Sequence, residues 1–515
     1  MKNFSFHYHR ITGYDRQAMS PHRLDWDGQP RLQKQYPHLP VVPLPETVWP
    51  EPADIRMVLT ETIDTPAGHL SDLQQLSSAL HLANGLTGRS RQGNSYFYFR
   101  SPPSAGALYP NELYLVKYAA SPDLEAGVYF YDTYERRLIR IRRGNFHAFL
   151  SETGAAAGDL LIITGIFFRS AWKYRNRAFR YVLLDGGHLL ESTRLALGAA
   201  GNQGRMYYNF DDDRYNRLLG LDPDREVCLA VINLKKPDAD APSAPATPAN
   251  ATPANATPAN AGIPDLPPAI TAAGRVSPRE IVYEDILDIY RAGKEIIHPH
   301  TGIPRISADD LGLTVKTWLP VKQPASGNDD PIKLSYAETV LRRRSKRNFI
   351  PSAVTEPQFL GLLDMIRRAF LTEHQETPAA SRTIQAGFVS GSVDNLNPGF
   401  YLLDPIVGAI GSVHGTDLIP QMTAACLDQA WLKNAAAHFL FMTNLEKLDQ
   451  VSGARGYRYT MLTAGRLGHV IYLAATAMGL GCCGIGAFYD REAEKLLGLN
   501  RSSALLYLVA VGQTR

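Results

Sequence analysis

Cysteine is nearly absent from this sequence: among 515 residues only Cys228, Cys426, Cys482 and Cys483 carry a thiol. Adjacent cysteines seldom bridge each other and no C-x-x-C spacing occurs, so neither a disulfide framework nor a thiolate metal site is expected. An excess of one charge is missing as well. Lys and Arg number 53 and Asp and Glu 50, giving a formal net charge of +3. That balance argues against a dedicated nucleic-acid binder, whose domains carry a concentrated basic face. Long apolar runs are also lacking. The most apolar short stretch, Leu160 to Phe168 (LLIITGIFF), falls well short of the roughly 18 residues that span a bilayer. The opening residues MKNFSFHYHRITGYDR contain no apolar core of signal-peptide length. These absences predict a cytoplasmic protein in a reducing compartment, with no membrane or nucleic-acid partner and no metal.

The composition is that of a globular protein, 45% hydrophobic and 20% charged, which excludes wholesale disorder. At about 150 residues per domain the length predicts roughly three domains, or two large ones. The clearest boundary is a Pro/Ala-rich segment, 236–268, in which ATPAN occurs three times in succession from Ala246 to Asn260. Without large apolar residues it cannot build a core, and its prolines favour an extended spacer.

The parts on either side resemble one another. Arg180 to Leu221 aligns without gaps on Arg458 to Leu499, matching Tyr181 with Tyr459, Leu184 with Leu462, Gly187 with Gly465, and Asp212 with Asp490. The LLGL at 218–221 then meets the LLGL at 496–499. So long a spacing between copies indicates a duplicated domain rather than a solenoid. In each copy the shared segment reads as a long buried helix, a glycine-rich exit, an extended run and a short helix. A β-like run closes each copy, Val227 to Leu234 and Ala504 to Val511, and the first copy adds strands at Glu112–Tyr118 and Gly127–Asp132. Helices mixed with such strands predict an α+β domain made twice. The expected division is an N-terminal extension (1–50), a first domain (51–235), the linker (236–268), an inter-domain segment (269–334) and a second domain (335–515).

Several short motifs carry chemistry. Gly479-Leu-Gly-Cys-Cys-Gly484 has the letters of a dinucleotide fingerprint but follows a helix and precedes an extended run, the reverse of what that fingerprint needs. Leu341-Arg-Arg-Arg-Ser-Lys-Arg-Asn-Phe349 packs five cations around one serine. Such a run is commonly a solvated face. Its serine and the amphipathic stretch after it (Phe359, Leu360, Leu362, Leu363) also suit an anion site, because guanidinium groups grip phosphate bidentately. Pro102-Pro-Ser-Ala-Gly-Ala-Leu-Tyr-Pro110 is either a tight turn or a run whose lack of bulk admits a flat ligand. Gly484-Ile-Gly-Ala-Phe488 is a second small-residue stretch, and Lys173-Tyr174 lies in a cationic KYRNR segment.

Taken together, LRRRSKRNF at 341–349, PSAGALYPNELY at 103–114, AWKYRNRAFRYVLLDGGH at 171–188 and GLGCCGIGAFYDREAEKLLGL at 479–499 resemble the nitroreductase superfamily of FMN-dependent oxidoreductases. The first half looks more specifically like the SagB-type dehydrogenases that oxidise azoline rings in peptides. The resemblance covers roughly 70–235 and 335–515. It implies a duplicated nitroreductase-like fold, a mixed or antiparallel sheet flanked by helices, with the two halves paired as an intramolecular pseudo-dimer. Further association of chains is left open.

In that family the flavin lies between protomers, so the resemblance implies FMN as cofactor here. Its phosphate and ribityl chain would fall to Arg343, Arg344, Ser345, Arg347, Gly486, Ala487 and Arg515. Its ring would be lined by Pro103, Ser104, Ala105, Gly106 and Ala107. Lys173 and Tyr174 would transfer protons, and a Tyr beside a Lys can work as acid or base if burial draws both pKa values toward the working range. The pseudo-symmetric second site reads as degenerate: Glu61 and Asp64 stand where the arginine run would be, Tyr208-Asn209 replaces Gly486-Ala487, and Arg382 interrupts PAASRTIQ at 378–385. The implied substrate is a small heterocycle or a peptide. The alternatives are an NAD(P)H-dependent nitro- or quinone reductase, and a non-catalytic flavin-binding scaffold.

Overall fold

The computed structural model describes residues 3–19, 23–36, 38–49, 53–60, 72–93, 95–151, 158–234, 262–296, 305–322 and 330–515. The ATPAN repeat and the acidic stretch with Glu61 and Asp64 lie outside the described residues.

Two seven-stranded sheets repeat one topology. The first runs in the order β1 (Val41–Pro43), β6 (Arg137–Arg143), β5 (Gly127–Asp132), β4 (Asn111–Lys117), β7 (Leu160–Ile166), β9 (Glu226–Asn233), β8 (Arg205–Tyr207). The second runs β10 (Thr317–Pro320), β13 (Ala409–His414), β12 (Gly399–Asp404), β11 (Gln385–Ser390), β14 (Ala437–Asn444), β16 (Ser503–Gly512), β15 (Gly481–Ile485). Every neighbouring pair is antiparallel. A separate hairpin joins β2 (Leu86–Gln92) to β3 (Ser95–Arg100). The edge strands β1 and β10 come from segments that the sequence reading places outside the two domains. Both are only three or four residues long, too short for their apolar pattern to register.

The helices that position the site are α1 (Phe4–Ile11), α2 (Phe167–Tyr174), α3 (Ala178–Ala199), α4 (Asp212–Leu219), α5 (Tyr336–Arg342), α6 (Arg455–Ala477) and α7 (Asp490–Leu497). The two long ones are the helices expected from the repeat. Both are buried almost all round, as a helix without a polar face must be. The glycine-rich motif 479–484 leaves α6 and runs into β15, a helix before it and a strand within it, the reverse of the strand-then-helix order of a dinucleotide fingerprint. Among the described residues no helix is long and apolar enough to cross a membrane.

The halves meet where α3 crosses α6. A Cβ on Gly187 would stand 2.1 Å from the Leu462 carbonyl oxygen and 2.9 Å from Cα of Gly465. A Cβ on Gly465 would stand 2.1 Å from the Leu184 oxygen. These matched glycines of the repeat therefore let two backbones touch, and no other residue fits there.

Buried ion pairs flank the crossing, and each joins one half to the other. Arg180 of α3 reaches Asp490 of α7 at 2.6 Å, and Arg458 of α6 reaches Asp212 of α4 at 2.6 Å. Arg177 and Arg455 add second guanidinium groups to the same carboxylates. Burial opposes the charge on Asp490, but Arg177 and Arg180 outweigh it and hold its pKa below the usual carboxylate range. A further pair links the crossing helices themselves, Arg466 to Glu191 at 2.6 Å, with Arg194 on the other side of that carboxylate. Helix α1 closes the same seam. Its Ser5 donates to Asp449, its Arg10 pairs with Glu494, and its Tyr8 hydroxyl donates to the Asn176 carbonyl in the first half.

Two measurements test this seam. Gly465→Val forces backbone against side chain, and overpacking of that kind costs typically 1–3 kcal/mol and more where nothing can yield. We expect a loss of about 3 kcal/mol in denaturant unfolding; a change below about 1 kcal/mol would contradict the contact. The second concerns acid. Burial raises the Glu191 pKa, but Arg194 and Arg466 overcome it and bring it down to about 2. A depressed carboxylate contributes stability above its unfolded pKa and loses it as pH falls through the folded one. Stability of the parent should thus drop by about 3 kcal/mol as pH falls from near 4.5 toward 2. In Glu191→Gln that part of the acid limb should disappear.

Candidate functional site between the halves

The loop 102–110 leaves the hairpin and enters β4. It turns through three positive φ values, 64° at Gly106, 55° at Ala107 and 45° at Tyr109. Only Gly106 adopts such a backbone freely, so the loop needs fastening. Asp185 of α3 supplies it. The Ser104 hydroxyl donates to Asp185 Oδ2 at 2.6 Å, and the Ala105 N–H lies 3.1 Å from both carboxylate oxygens. Ser104 Oγ in turn accepts the Tyr109 N–H at 2.8 Å. Pro103 is buried, Ala105 and Ala107 are half-buried, and Gly106 is exposed.

Lys173 and Tyr174 end α2 directly behind that loop. A Cβ on Gly106 would stand 2.8 Å from the Tyr174 hydroxyl and 3.2 Å from Lys173 Nζ. The Tyr174 ring lies on Tyr181, centroids 4.1 Å apart. The Tyr181 hydroxyl and Arg177 both donate to the Gly486 carbonyl, at 3.1 and 2.9 Å. The 102–110 loop, the Lys-Tyr pair and the glycine-rich stretch thus come together although two of them belong to one half and the third to the other.

The arginine run supplies the remaining wall. After α5 the chain runs extended beside β15, with Ser345 bridged to Cys482 and the Lys346 N–H donating to the Cys482 carbonyl at 2.9 Å. The Ser345 hydroxyl meets the Tyr472 hydroxyl at 3.0 Å, and that oxygen also accepts the Gly484 N–H at 2.7 Å. The cations divide into two sets. Arg343 is buried and donates to the Ser101 and Arg100 carbonyls at 2.6 and 3.1 Å. Arg344 donates to the Thr87 carbonyl and hydroxyl in the hairpin. Ser345, Lys346 and Arg347 are exposed, with the Arg347 guanidinium 5.8 Å from the Trp431 ring. Ala487 is half-buried beside Gly486. Arg515 is exposed, its main-chain oxygen accepting from Asn348.

The protonation states differ from the expectation that both members of the Lys-Tyr pair shift toward neutrality. Burial, helped by the nearby Arg347 charge, lowers the Lys173 pKa. Tyr174 moves the other way, because burial and the Asp185 charge both disfavour a phenolate. Asp185 itself is pushed up to about 7 by burial, against the hydrogen bonds from Ser104 and Ala105. Of the group, Lys173 and Asp185 shift toward neutral pH, while Tyr174 keeps its proton.

The pseudo-symmetric position is filled. Tyr208, the counterpart of Gly486, is buried, its ring 5.8 Å from Tyr459 and its hydroxyl accepting from Arg466 at 3.2 Å. Its main-chain oxygen receives Arg455, as that of Gly486 receives Arg177. The counterpart of the 103–109 loop, at 378–385, is a helical turn running into β11.

Asp185, Tyr181 and Tyr472 carry weight that sequence reasoning did not assign. Asp185 and Tyr472 had a usable signal: in the constant register they face Thr463 and Arg194, so the repeat is broken at both. Tyr181 had none, since Tyr459 matches it.

Residues 340–513 match the model of the nitroreductase family. A Methanocaldococcus jannaschii protein named as a nitroreductase is 27% identical over 203 residues, which cover 38% of this chain and 96% of that protein. A solved structure from Anabaena variabilis, also named as a nitroreductase, is 25% identical with a TM-score of 0.74 and covers 99% of both chains. That structure has the length and the doubling of this one. The duplicated antiparallel sheets, the crossed central helices and these matches give the chain a doubled nitroreductase-like fold, with the nitroreductase family model itself matched in the second copy.

Proposed function

We propose that this oxidoreductase of the nitroreductase family binds one FMN between its halves and dehydrogenates an azoline-like heterocycle. The observation that carries the reading is the one-sidedness of the seam. On one side the small-residue loop stands against Lys173-Tyr174, Tyr181 and Arg177 reach the Gly486 carbonyl, and the Arg347 charge acts on Lys173. On the other, Tyr208 fills the equivalent place.

The residues suit FMN. Exposed Ser345 and Arg347 offer a hydroxyl and a guanidinium to a phosphate ester. Arg343 and Arg344, whose donors are engaged by carbonyls, hold the hairpin that carries the ring-lining loop. The exposed Gly106 and its small neighbours would let main chain approach a flat ring closely. When bound, FMN supplies the hydride chemistry. Lys173, its pKa lowered, takes a proton from the substrate. Tyr174, neutral and hydrogen-bonding, orients that substrate against the loop.

Two outcomes are expected. Titrated with FMN, the chain should take up one flavin. Arg347→Ala should weaken FMN by about 10–100-fold, the loss of one charge-assisted contact, and leave riboflavin nearly unchanged. Two flavins per chain, or equal weakening of both ligands, would contradict the site. In the second test Tyr174→Phe should keep flavin occupancy and slow oxidation of an azoline test peptide by about 10-fold, the loss of one orienting hydrogen bond. Reduction of bound flavin by NADPH, followed by its absorbance, should be little affected. An unimpaired azoline reaction, or a parent that bleaches rapidly with NADPH and ignores the peptide, would favour an NAD(P)H-driven reductase.

A further inference from the structure

We infer that Asp185 is the positioning residue of the flavin site: as a carboxylate it locks the 103–109 loop in the shape that receives the ring, and as a carboxylic acid it releases that loop. This rests on the FMN reading above and adds a residue and a control to it.

The loop cannot hold its own shape. Ala107 and Tyr109 sit at φ values of 55° and 45°, a conformation that costs a non-glycine residue on the order of 1 kcal/mol or more. The fastening converges on one group. Ser104 Oγ already accepts the Tyr109 N–H, so its only proton goes to Asp185. The Ala105 N–H points between both carboxylate oxygens. A carboxylate accepts at both oxygens, whereas a carboxylic acid brings a proton of its own that needs an acceptor. Protonation therefore sets Asp185 in conflict with the Ala105 N–H or with Ser104.

A second observation points the same way. The position equivalent to Asp185 in the other half is Thr463, and there the equivalent of the loop is a helical turn. The carboxyl is present in the half that has the loop and missing from the half that does not.

The surroundings leave Asp185 poised. No salt bridge reaches it among the described residues. The titratable groups that face it are Tyr174 of α2 and Tyr507 of β16, both phenols whose protons its charge helps to retain. Lys173 stands beyond Gly106. His188, bonded to the Tyr507 hydroxyl, is driven well below the usual imidazole range by burial and stays neutral. Burial lifts Asp185 itself to about 7. Its ionised, loop-holding form thus prevails above neutral pH and gives way below it.

Riboflavin is the probe, since it lacks the phosphate that would titrate in the same range. Binding of riboflavin to the flavin-free chain, read by fluorescence quenching, should weaken about tenfold between pH 8 and pH 6. Asp185→Asn should abolish that dependence. Ser104→Ala removes a hydrogen bond to the ionised form, so the break should move to higher pH. It decides the question even if Asp185→Asn fails to fold, which circular dichroism would reveal. A break that persists unchanged in Asp185→Asn would assign the titration to Lys173 and overturn the inference, as would a break unmoved by Ser104→Ala. Tight FMN with pH-independent riboflavin binding would overturn this inference alone. A chain that binds neither flavin would overturn the proposed function along with it.

Discussion

The main chains of α3 and α6 touch at Gly187 and Gly465, and the rest of the molecule is arranged around how near they come. With any side chain at that crossing the helices would stand further apart, and every group reaching over the seam would fall short. Arg180 would lose Asp490, Arg458 would lose Asp212, and Tyr181 would no longer reach the Gly486 carbonyl. The site is assembled by the same approach. Its loop and its Lys-Tyr pair come from one half, its glycine-rich and cationic walls from the other, and hydrogen bonds of ordinary length connect them.

The buried charges sharpen this dependence. An ion pair sealed from water contributes little net stability but becomes strongly destabilising when one partner is withdrawn. Here Asp212 and Asp490 take both of their guanidinium partners from the opposite half, and Glu191 takes Arg466 from across the seam beside Arg194 of its own helix. A half on its own would hold uncompensated guanidinium or carboxylate groups on an apolar face. The electrostatics therefore favour the joined state and tolerate no slippage along it.

Much of this was legible in the sequence. The gapless match of Arg180–Leu221 to Arg458–Leu499 foretold a long buried helix in each copy, and it contained Gly187/Gly465 and Asp212/Asp490 without revealing that the first pair is the crossing and the second its buried anions. What the match could not say is that each arginine serves the aspartate of the opposite copy, because a sequence repeat is blind to exchange between copies. The arginine run was legible as a cluster, yet its split between exposed Arg347 and buried Arg343 depends on the hairpin folded over it, a contact more than two hundred residues away. The Lys173-Tyr174 pair was found as a motif. Its protonation was not, since burial acts in opposite directions on an amine and a phenol. The short edge strands β1 and β10 escaped because three or four residues carry no period.

Tyr208 has a consequence for how such a molecule can change. In a symmetric assembly of identical subunits each substitution is made at every equivalent place at once, so a bulky ring in one pocket is a bulky ring in both. Covalent linkage of the copies removes that coupling. A tyrosine can fill one position while its counterpart stays a glycine, and the filled side is then free to become scaffold: Tyr208 packs on Tyr459, and Arg466 and Glu191 stiffen the crossing behind it. One copy of each feature is enough, and the other copy is released to serve rigidity.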